Sequence, residues 1–566
     1  MPVIAGVDVG NATTEVAAVA GGRLLGMDRL PTRGRKGSPE SLRGAAALVR
    51  RLERRLGCRV DEARIAPLRA VDTTTMTVPQ LPPPTGRLRL LAAGVATPGG
   101  NGACVGAPLW LDGPAPAAAP GGPSGGPVIA TVPPGLGYAR AAELLRGLIR
   151  AGVPVAAVLV AGDEGVLVAN RLGVTVPVID QVDVTGVSAC PLVAVEVRAP
   201  GQPLTLLTDP VALGAALGLP GSEAGDAATL SRSLLDYSNG VVGYAPASPG
   251  SVAPAAPGPP EPWVLVDREH IALRLACTQL PDWPVGKARA VGAGVGASGP
   301  DEVDDVFALD LAAVGDTATA RRGSLGRAVL VASLQRLAAG SDHAGQLSQL
   351  LGRPVRCLLT EPGAARLGAL TTPGARADAA VVDVGAGTID VIAPGAEVVA
   401  AGAGELLTVA VAETLGIPRA AAEWVKRGPC LRVDGGQRFE AEDGGRGFLD
   451  RPAPASAAGT LAVMGPAGLL PFDRRHSPAE WRAVRLRLKQ AVFAVNLRRA
   501  LATLGGGLGQ VLIVGGPAGD DEMLGVLLRS LPGTVAAGRG NVGGTLPGAP
   551  AGHRYAAALG LALAGN

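Results

Sequence analysis

The chain predicts an α/β protein built from two related halves, and three observations carry that prediction. Ile4-Ala5-Gly6-Val7-Asp8-Val9-Gly10-Asn11-Ala12-Thr13-Thr14 opens the sequence, and Val381-Val382-Asp383-Val384-Gly385-Ala386-Gly387-Thr388-Ile389-Asp390 repeats its pattern in the last third. Each reads as an apolar strand, an Asp, a glycine turn carrying a hydroxyl, and a second strand. Helical and strand periodicities alternate elsewhere, as layered α/β architectures require. Near the end, Val511-Leu512-Ile513-Val514-Gly515-Gly516-Pro517 reads as a buried strand closed by a glycine pair. With 83 glycines in 566 residues, a bare G-x-G should arise by chance about 12 times, so the weight lies in the whole pattern recurring.

Residues 1–90 read as strand, hairpin and strand, then an amphipathic helix at 41–56 with Leu42, Ala45, Leu48, Val49, Leu52 and Leu56 at helical spacing. A Pro-rich break follows at 79–84. From 91 to 250 the texture shifts: low-complexity 113–127 gives way to a helix at 139–151, a buried strand at 153–160 and another at 166–170, suggesting an inserted α/β domain. The Pro-, Ala- and Gly-rich stretch 245–262 reads as a linker. Residues 263–370 return to the first half and end on a helix containing Thr360-Glu361-Pro362-Gly363-Ala364-Ala365-Arg366-Leu367-Gly368. The second half, 371–566, follows its hairpin with helices at 405–415 and 419–426, a Gly-rich charged insertion at about 433–475, and a long helix at 478–504. That helix sets Arg and Lys against Val, Leu and Phe; a solvated face beside a core stripe is favoured over a DNA-binding helix.

Composition narrows the function. The net charge of +3 is spread over 51 basic and 48 acidic residues, without the basic block or aromatic interleaving of a nucleic-acid binder. At this length, about three or four domains are expected. Only four of the 51 basic residues are Lys, as the codon bias of a GC-rich genome would produce, so the abundant Gly and Pro argue less for disorder than usual. Cys58, Cys104, Cys190, Cys277, Cys357 and Cys430 lie far apart with no C-x-x-C; buried thiols in a reducing cytosol are expected, not a metal site or a disulfide framework. Asp8 interrupts the first apolar stretch and no basic segment precedes it, unlike a signal peptide. Apolar runs such as 153–161 are too short for a membrane span. A soluble cytoplasmic protein, with neither nucleic-acid nor membrane partner, is the expectation.

In a hairpin of this kind the glycine backbone can approach a phosphate, turn amides and Thr hydroxyls can donate to its oxygens, and the Asp can hold a hydrated Mg²⁺. Two such hairpins face to face would clamp a nucleotide. The order hairpin, E-P-x-A-A-x-x-x-G helix, hairpin, strand-Gly-Gly resembles the actin, Hsp70 and sugar-kinase ATPase fold, in which two α/β halves close over ATP. Within that fold, 4–16, Ala96-Thr97-Pro98-Gly99-Gly100, 165–172, 367–374, Ala401-Gly402-Ala403-Gly404 and 537–541 resemble the large subunit of the diol and glycerol dehydratase reactivating factors. These stretches span nearly the whole chain, including the insertion.

The resemblance implies a duplicated actin/Hsp70/sugar-kinase-like ATPase with an inserted α/β domain of swivelling type. It implies a chaperone-like factor that uses ATP to release damaged cobalamin from an inactivated B12-dependent diol or glycerol dehydratase. A small subunit is implied as partner, in an α2β2 heterotetramer in the cytoplasm, with association to a bacterial microcompartment left open. By the same resemblance Asp8 and Asp383 are the paired acids that orient Mg²⁺, its water shell and the attacking water. Asn11, Ala12 and Thr13 match the first phosphate loop; Glu423, Trp424 and Lys426 match the helix lining the nucleoside of ATP or ADP; Gly516 and Pro517 follow the adenosine strand; and Arg554 matches a nucleotide-contacting Arg. A second, non-catalytic Mg²⁺ would take Thr97, Asp163 and Asp180; read by themselves, Thr97 and Asp163 fit turn-capping residues better, a preference that the surrounding matches to the family reverse. The chain departs from the family in its Pro-rich, shortened 73–91, its reduced 284–325, Gly515-Gly516-Pro517 in place of Gly-Gly-Ser, and Trp424 in place of an acidic residue. Rival readings are a small-molecule kinase of this fold, an activator of radical acyl-CoA dehydratases, which would need a bridging iron-sulfur cluster the scattered cysteines do not suggest, and a filament-forming ATPase.

Overall fold

Val3–Val9, Thr13–Ala20 and Arg23–Pro31 form an antiparallel meander, and Glu62–Arg64 and then Val355–Arg356 add in parallel on the side of the first strand. Ala380–Val384, Thr388–Ala393 and Ala396–Ala401 repeat the meander, with Gln510–Val514 and Ala536–Arg539 added in parallel. The two five-stranded sheets therefore share strand order and sense, and the repeated motif is one corner of a repeated fold. This computed structural model describes residues 1–566 apart from 78–85, 96–97, 113–125, 200–201, 236, 246–261, 293–300, 318–327, 338–339, 506, 549 and 566. The chain divides into two compact units, one of Met1–Pro79, Pro257–Ala320 and Leu325–Asn566, the other of Gln80–Ala256 with Arg321–Ser324.

In the first unit, helix Pro39–Leu56 covers the first sheet. Ser38 caps it by accepting from the Ser41 amide, Pro39 starts it, and Gly57 ends it at φ 66°. Leu42, Ala45, Leu48, Val49 and Leu52 bury against Ala5, Val7 and Val16, following the stripe read from the sequence. The repeats join where helices Glu361–Ala369 and Ala556–Leu563 cross. A Cβ on Gly560 would lie 1.8 Å from the Ala364 carbonyl oxygen, and one on Gly368 2.0 Å from that of Ala556, so the small residues of the E-P-x-A-A-x-x-x-G pattern permit backbone contact. A third, six-stranded antiparallel sheet orders Glu269–Ala272, Trp263–Val266, Ala288–Gly292, Asp301–Asp310, Ala328–Gln335 and Val71–Thr77. Its Phe307, Leu309, Leu330 and Ala332 bury in one cluster with Val382, Val384, Leu406 and Ala410 of the second repeat.

The charged insertion is a five-stranded sheet ordering Arg446–Phe448, Arg438–Ala441, Leu431–Gly435, Leu461–Gly465 and Gly468–Asp473. The long helix expected at 478–504 is helix Pro478–Lys489, a π-helical turn at Gln490–Ala494, and helix Val495–Leu504. Its basic side is not simply a solvated face. Arg485, Lys489 and Arg499 are buried, because Glu442, Glu522, Asp520 and Asp305 from other segments meet them.

The second unit is a seven-stranded sheet ordering Val178–Ile179, Val155–Val160, Val128–Val132, Gly102–Trp110, Leu192–Val197, Asn239–Tyr244 and Leu88–Ala93. The strand expected at 166–170 is instead part of helix Gly165–Leu172. Val168 and Leu172, four apart, face the core, while Val166 and Leu167 are exposed, and Gly173 ends the helix at φ 72°. A four-residue apolar run fits either period, and here the flanking glycines decide it. All six cysteines are free; Cys190 and Cys430 are buried, but Cys357 is exposed. Among the described residues no helix is long and apolar enough to cross a membrane.

Candidate functional site

The two hairpins are built alike. The Gly10 amide donates to the Thr13 carbonyl at 2.9 Å, and the Gly385 amide to the Thr388 carbonyl at 2.9 Å. The register sets Asp8 opposite Glu15 and Asp383 opposite Asp390, and directly opposed residues project on the same face of an antiparallel pair. Each hairpin thus presents two carboxylates. The turns meet closely: a Cβ on Gly387 would lie 2.2 Å from Asn11 Nδ2. Asn11 is fixed in turn, donating to the Val71 carbonyl at 3.2 Å.

Between the turns lies a cavity of about 560 Å³ lined by Asp8, Asn11, Ala12, Thr13, Asp383, Glu423, Lys426, Gly516, Pro517 and Arg554, all expected from the sequence, together with residues that were not. Among the latter, Lys36 Nζ pairs with Glu361 Oε2 at 2.6 Å, the lysine side chain 6 % exposed. Glu361 sits in the first turn of its helix, behind the Thr360 cap. Glu15 and Asp390 also line the cavity.

Five carboxylates therefore converge with one buried ammonium, and their protonation reflects it. Burial, then the Glu361 charge, push Asp383 up to about 7 and Asp390 well above the usual carboxylate range. Burial and Glu361 raise Asp8 likewise, with Lys36 acting the other way. Burial also takes Glu15 up to about 7 against the pull of Arg554. Burial works against the charge on Lys36, but Glu361 and Asp8 prevail and hold its pKa above the ordinary value. Asp390 Oδ1 is buried without a hydrogen-bond partner among the described residues. Such a set is short of positive charge, and its members near neutrality can take a proton.

On the far wall, Lys426 Nζ contacts Glu423 Oε2 at 2.6 Å and donates to Thr408 Oγ1 at 2.7 Å and the Gly404 carbonyl at 3.0 Å. These contacts lock helix Arg419–Val425 onto helix Gly404–Leu415. Trp424 departs from its expected place. It is not among the lining residues; half-buried, it packs against the core of the second repeat, with the Arg427 guanidinium 4.8 Å from its ring centre. One residue beyond Glu423 is a turn of about 100° around a helix, which carries the ring off the cavity side. Gly515, at φ 92°, permits close approach after the last strand: a Cβ there would lie 2.2 Å from the Val384 carbonyl oxygen and 2.4 Å from Asp383 Oδ1.

In the second unit, Asp180 is buried, accepts from the Gly165 amide at 3.1 Å through Oδ2, and leaves Oδ1 without a partner among the described residues. Burial raises its pKa and the nearby Asp163 adds to the shift. Asp163 accepts from Gln181 Nε2 at 3.1 Å. Thr97 lies outside the described residues.

Lys36, Glu361, Glu15 and Asp390 are among the cavity residues that the sequence reading passed over, and two signals bear on three of them. In both hairpins a second acid follows the first by seven residues, the spacing that the tight turn converts into opposition. The chain also keeps only four lysines, Lys36, Lys287, Lys426 and Lys489. Two of them line the cavity, and Lys489 is buried against its wall residues Asp520 and Glu522.

The repeated sheets, the facing glycine turns and the carboxylate-lined cavity between them define a protein with the duplicated α/β fold of the actin/Hsp70-like ATPases. Residues 296–565 match the family model for the diol dehydratase reactivase ATPase-like domain, and 90–249 that for the DD-reactivating factor swiveling domain. The chain belongs to the diol dehydratase reactivase family. It is 29 % identical to the propanediol dehydratase-reactivating factor large subunit of Citrobacter freundii, covering 100 % of this chain and 98 % of that protein. It is 27 % identical, with the same coverage, to the diol dehydratase-reactivating factor large subunit of Klebsiella michiganensis. Among solved structures it is similar to the nucleotide-free diol dehydratase-reactivating factor, with 26 % identity, TM-score 0.59, and coverage of 100 % of this chain and 99 % of that one. A glycerol dehydratase reactivase matches at 25 % identity and TM-score 0.57, with 100 % of each chain covered.

Proposed function

We propose that this protein is the ATP-hydrolysing large subunit of a reactivating factor that frees damaged cobalamin from an inactivated B12-dependent diol or glycerol dehydratase. The observation carrying the proposal is the pair of facing hairpins, each with two opposed carboxylates over a glycine turn. Asn11, Ala12 and Thr13 on one side and the Gly385–Thr388 turn on the other would receive the phosphates, and Glu423, Lys426, Gly516, Pro517 and Arg554 the nucleoside end. Asp383, near neutrality, would orient the attacking water and take its proton, while Asp8 supports it from the opposite hairpin.

Among the described residues no group of three or more His, Cys, Asp or Glu is placed to hold a bare metal ion. Mg²⁺ would be held by Asp8 and Asp383 through water, as suits an ion that dehydrates reluctantly, and the orphaned Asp390 oxygen and the excess of carboxylates fit such an ion. Bound there, Mg²⁺ would supply charge neutralisation for the phosphates. Asp180, with its partnerless oxygen, and Asp163 would contribute with Thr97 to a second Mg²⁺ site. A small subunit in an α2β2 assembly is the expected partner, by analogy with the relatives named large subunits.

The test mixes the protein, a candidate small subunit and glycerol-inactivated dehydratase with ATP, Mg²⁺ and fresh adenosylcobalamin, and follows dehydratase activity. ATP-dependent recovery is expected. ATP hydrolysis without recovery would move the function to another client or to small-molecule phosphorylation.

A further inference from the structure

Behind the second phosphate turn, three buried polar side chains make a connected set that does not line the cavity. Asp305, on the strand Asp301–Asp310, accepts the Ala401 amide at 2.9 Å through Oδ2 and the Gly286 amide at 2.9 Å through Oδ1. Asn496, just past the π-helical turn, donates through Nδ2 to the carbonyls of Ala401 at 2.6 Å and Gly402 at 2.7 Å. Arg499 ties the two together, donating to Asn496 Oδ1 at 2.8 Å and Asp305 Oδ1 at 3.1 Å. Ala401 is thus held by its amide and its carbonyl at once. All three side chains are 2 % exposed or less.

What they hold is the support of the phosphate turn. Gly402, at φ 91°, donates to the Gly387 carbonyl at 2.7 Å, Glu405 to that of Ala386 at 2.7 Å, and Gly404 to that of Gly385 at 3.3 Å. Each carbonyl of the Gly385–Gly387 turn is therefore set by 402–405, and that segment is set by Asp305 and Asn496. The same six-stranded sheet supplies Val71, whose amide and carbonyl bracket the Asn11 side chain of the first turn.

We propose that Asp305, Asn496 and Arg499 are positioning residues for the second phosphate turn, acting through Ala401 and Gly402, and that the six-stranded sheet is the frame registering both turns. The inference rests on the nucleotide reading of the cavity. It assigns work to the Ala401–Gly404 motif and to three buried polar groups that the proposed chemistry does not use. A small displacement of a turn that meets the phosphates should act on the chemical step, because misplacement of about 1 Å can cost on the order of a hundredfold in rate. The nucleoside wall touches this segment through Lys426 Nζ on the Gly404 carbonyl and is otherwise held by Glu423 and Thr408, so its affinity should change less than the chemical step.

The experiment measures ATP hydrolysis by Asn496→Asp and Asp305→Asn, each rate normalised to sites titrated with labelled ADP, so that loss of folded protein does not register. Asn496→Asp places a carboxylate against two carbonyl oxygens and should lower kcat about 10- to 100-fold while changing KM less than about threefold. Asp305→Asn should lower kcat in the same sense, and the double variant should be no slower than the worse single one, since both act through one turn. If Asn496→Asp does not fold, Asp305→Asn alone decides. Unchanged kcat per site, a rise confined to KM, or additive losses in the double variant would overturn the proposal. A wild-type protein that binds ADP but turns over no ATP would instead sink the hydrolytic reading, and this inference with it.

Discussion

Replacing Asp383 with Asn should stabilise the nucleotide-free protein and abolish its ATP hydrolysis. In the folded chain burial and the Glu361 charge raise Asp383 from 3.8 to about 7. The folded state therefore binds this proton more tightly than the unfolded one. The associated stability is fully present below the unfolded value and is lost as pH rises through about 7. Three units at about 1.36 kcal/mol each set a ceiling of about 4 kcal/mol, of which about 2 kcal/mol is lost between pH 5.5 and 8. Asn keeps the shape and cannot ionise, so its variant should lack that share of the slope and be about 2–4 kcal/mol more stable than wild type at pH 8. The assay is urea unfolding in EDTA at both pH values, followed by tryptophan fluorescence, to which Trp481, fully buried in the second repeat, contributes. Parallel pH dependence in the two proteins would refute the assignment of the titrating group, and wild-type hydrolysis by the variant would refute its role.

Lys36→Met leaves Glu361 among four other carboxylates without its cation and should cost about 3 kcal/mol in urea unfolding along with ATP turnover. Arg485→Met strands Glu442 and Glu522, which the buried guanidinium now bridges at 2.6 Å each, and should cost about 3–5 kcal/mol. Gly560→Val drives a side chain into the Ala364 carbonyl and should cost about 3 kcal/mol or more, seen as loss of soluble protein or a lowered Tm. Trp424→Phe, altering a ring turned onto the core, should leave KM for ATP within about twofold and lower stability by about 1 kcal/mol.

The repeated hairpin was legible because everything it needs is local: period-two apolar strands, a glycine turn and an acid at a fixed offset. Its second acids, Glu15 and Asp390, were legible by the same logic. The pairing of Lys36 with Glu361 was not, since they stand 325 residues apart and only the return of the chain into the first sheet joins them. The helical wheel at 478–504 could not separate buried from solvated cations, because the deciding acids come from the insertion, from the start of helix Asp521–Ser530 and from the third sheet. The direction of the Trp424 ring off the cavity was not legible either, because family correspondence places a segment of a short helix but not the direction of each side chain.

The sparing use of lysine also makes the chain an unusual target for amine chemistry. Beyond the N-terminus it carries four primary amines. Lys489 is fully buried, and the Lys36 and Lys426 side chains, 6 % and 13 % exposed, border the cavity. An acylating reagent should modify Lys287 and Met1 first; slower labelling would then report on the cavity itself, read by mass against a nearly silent background of arginines.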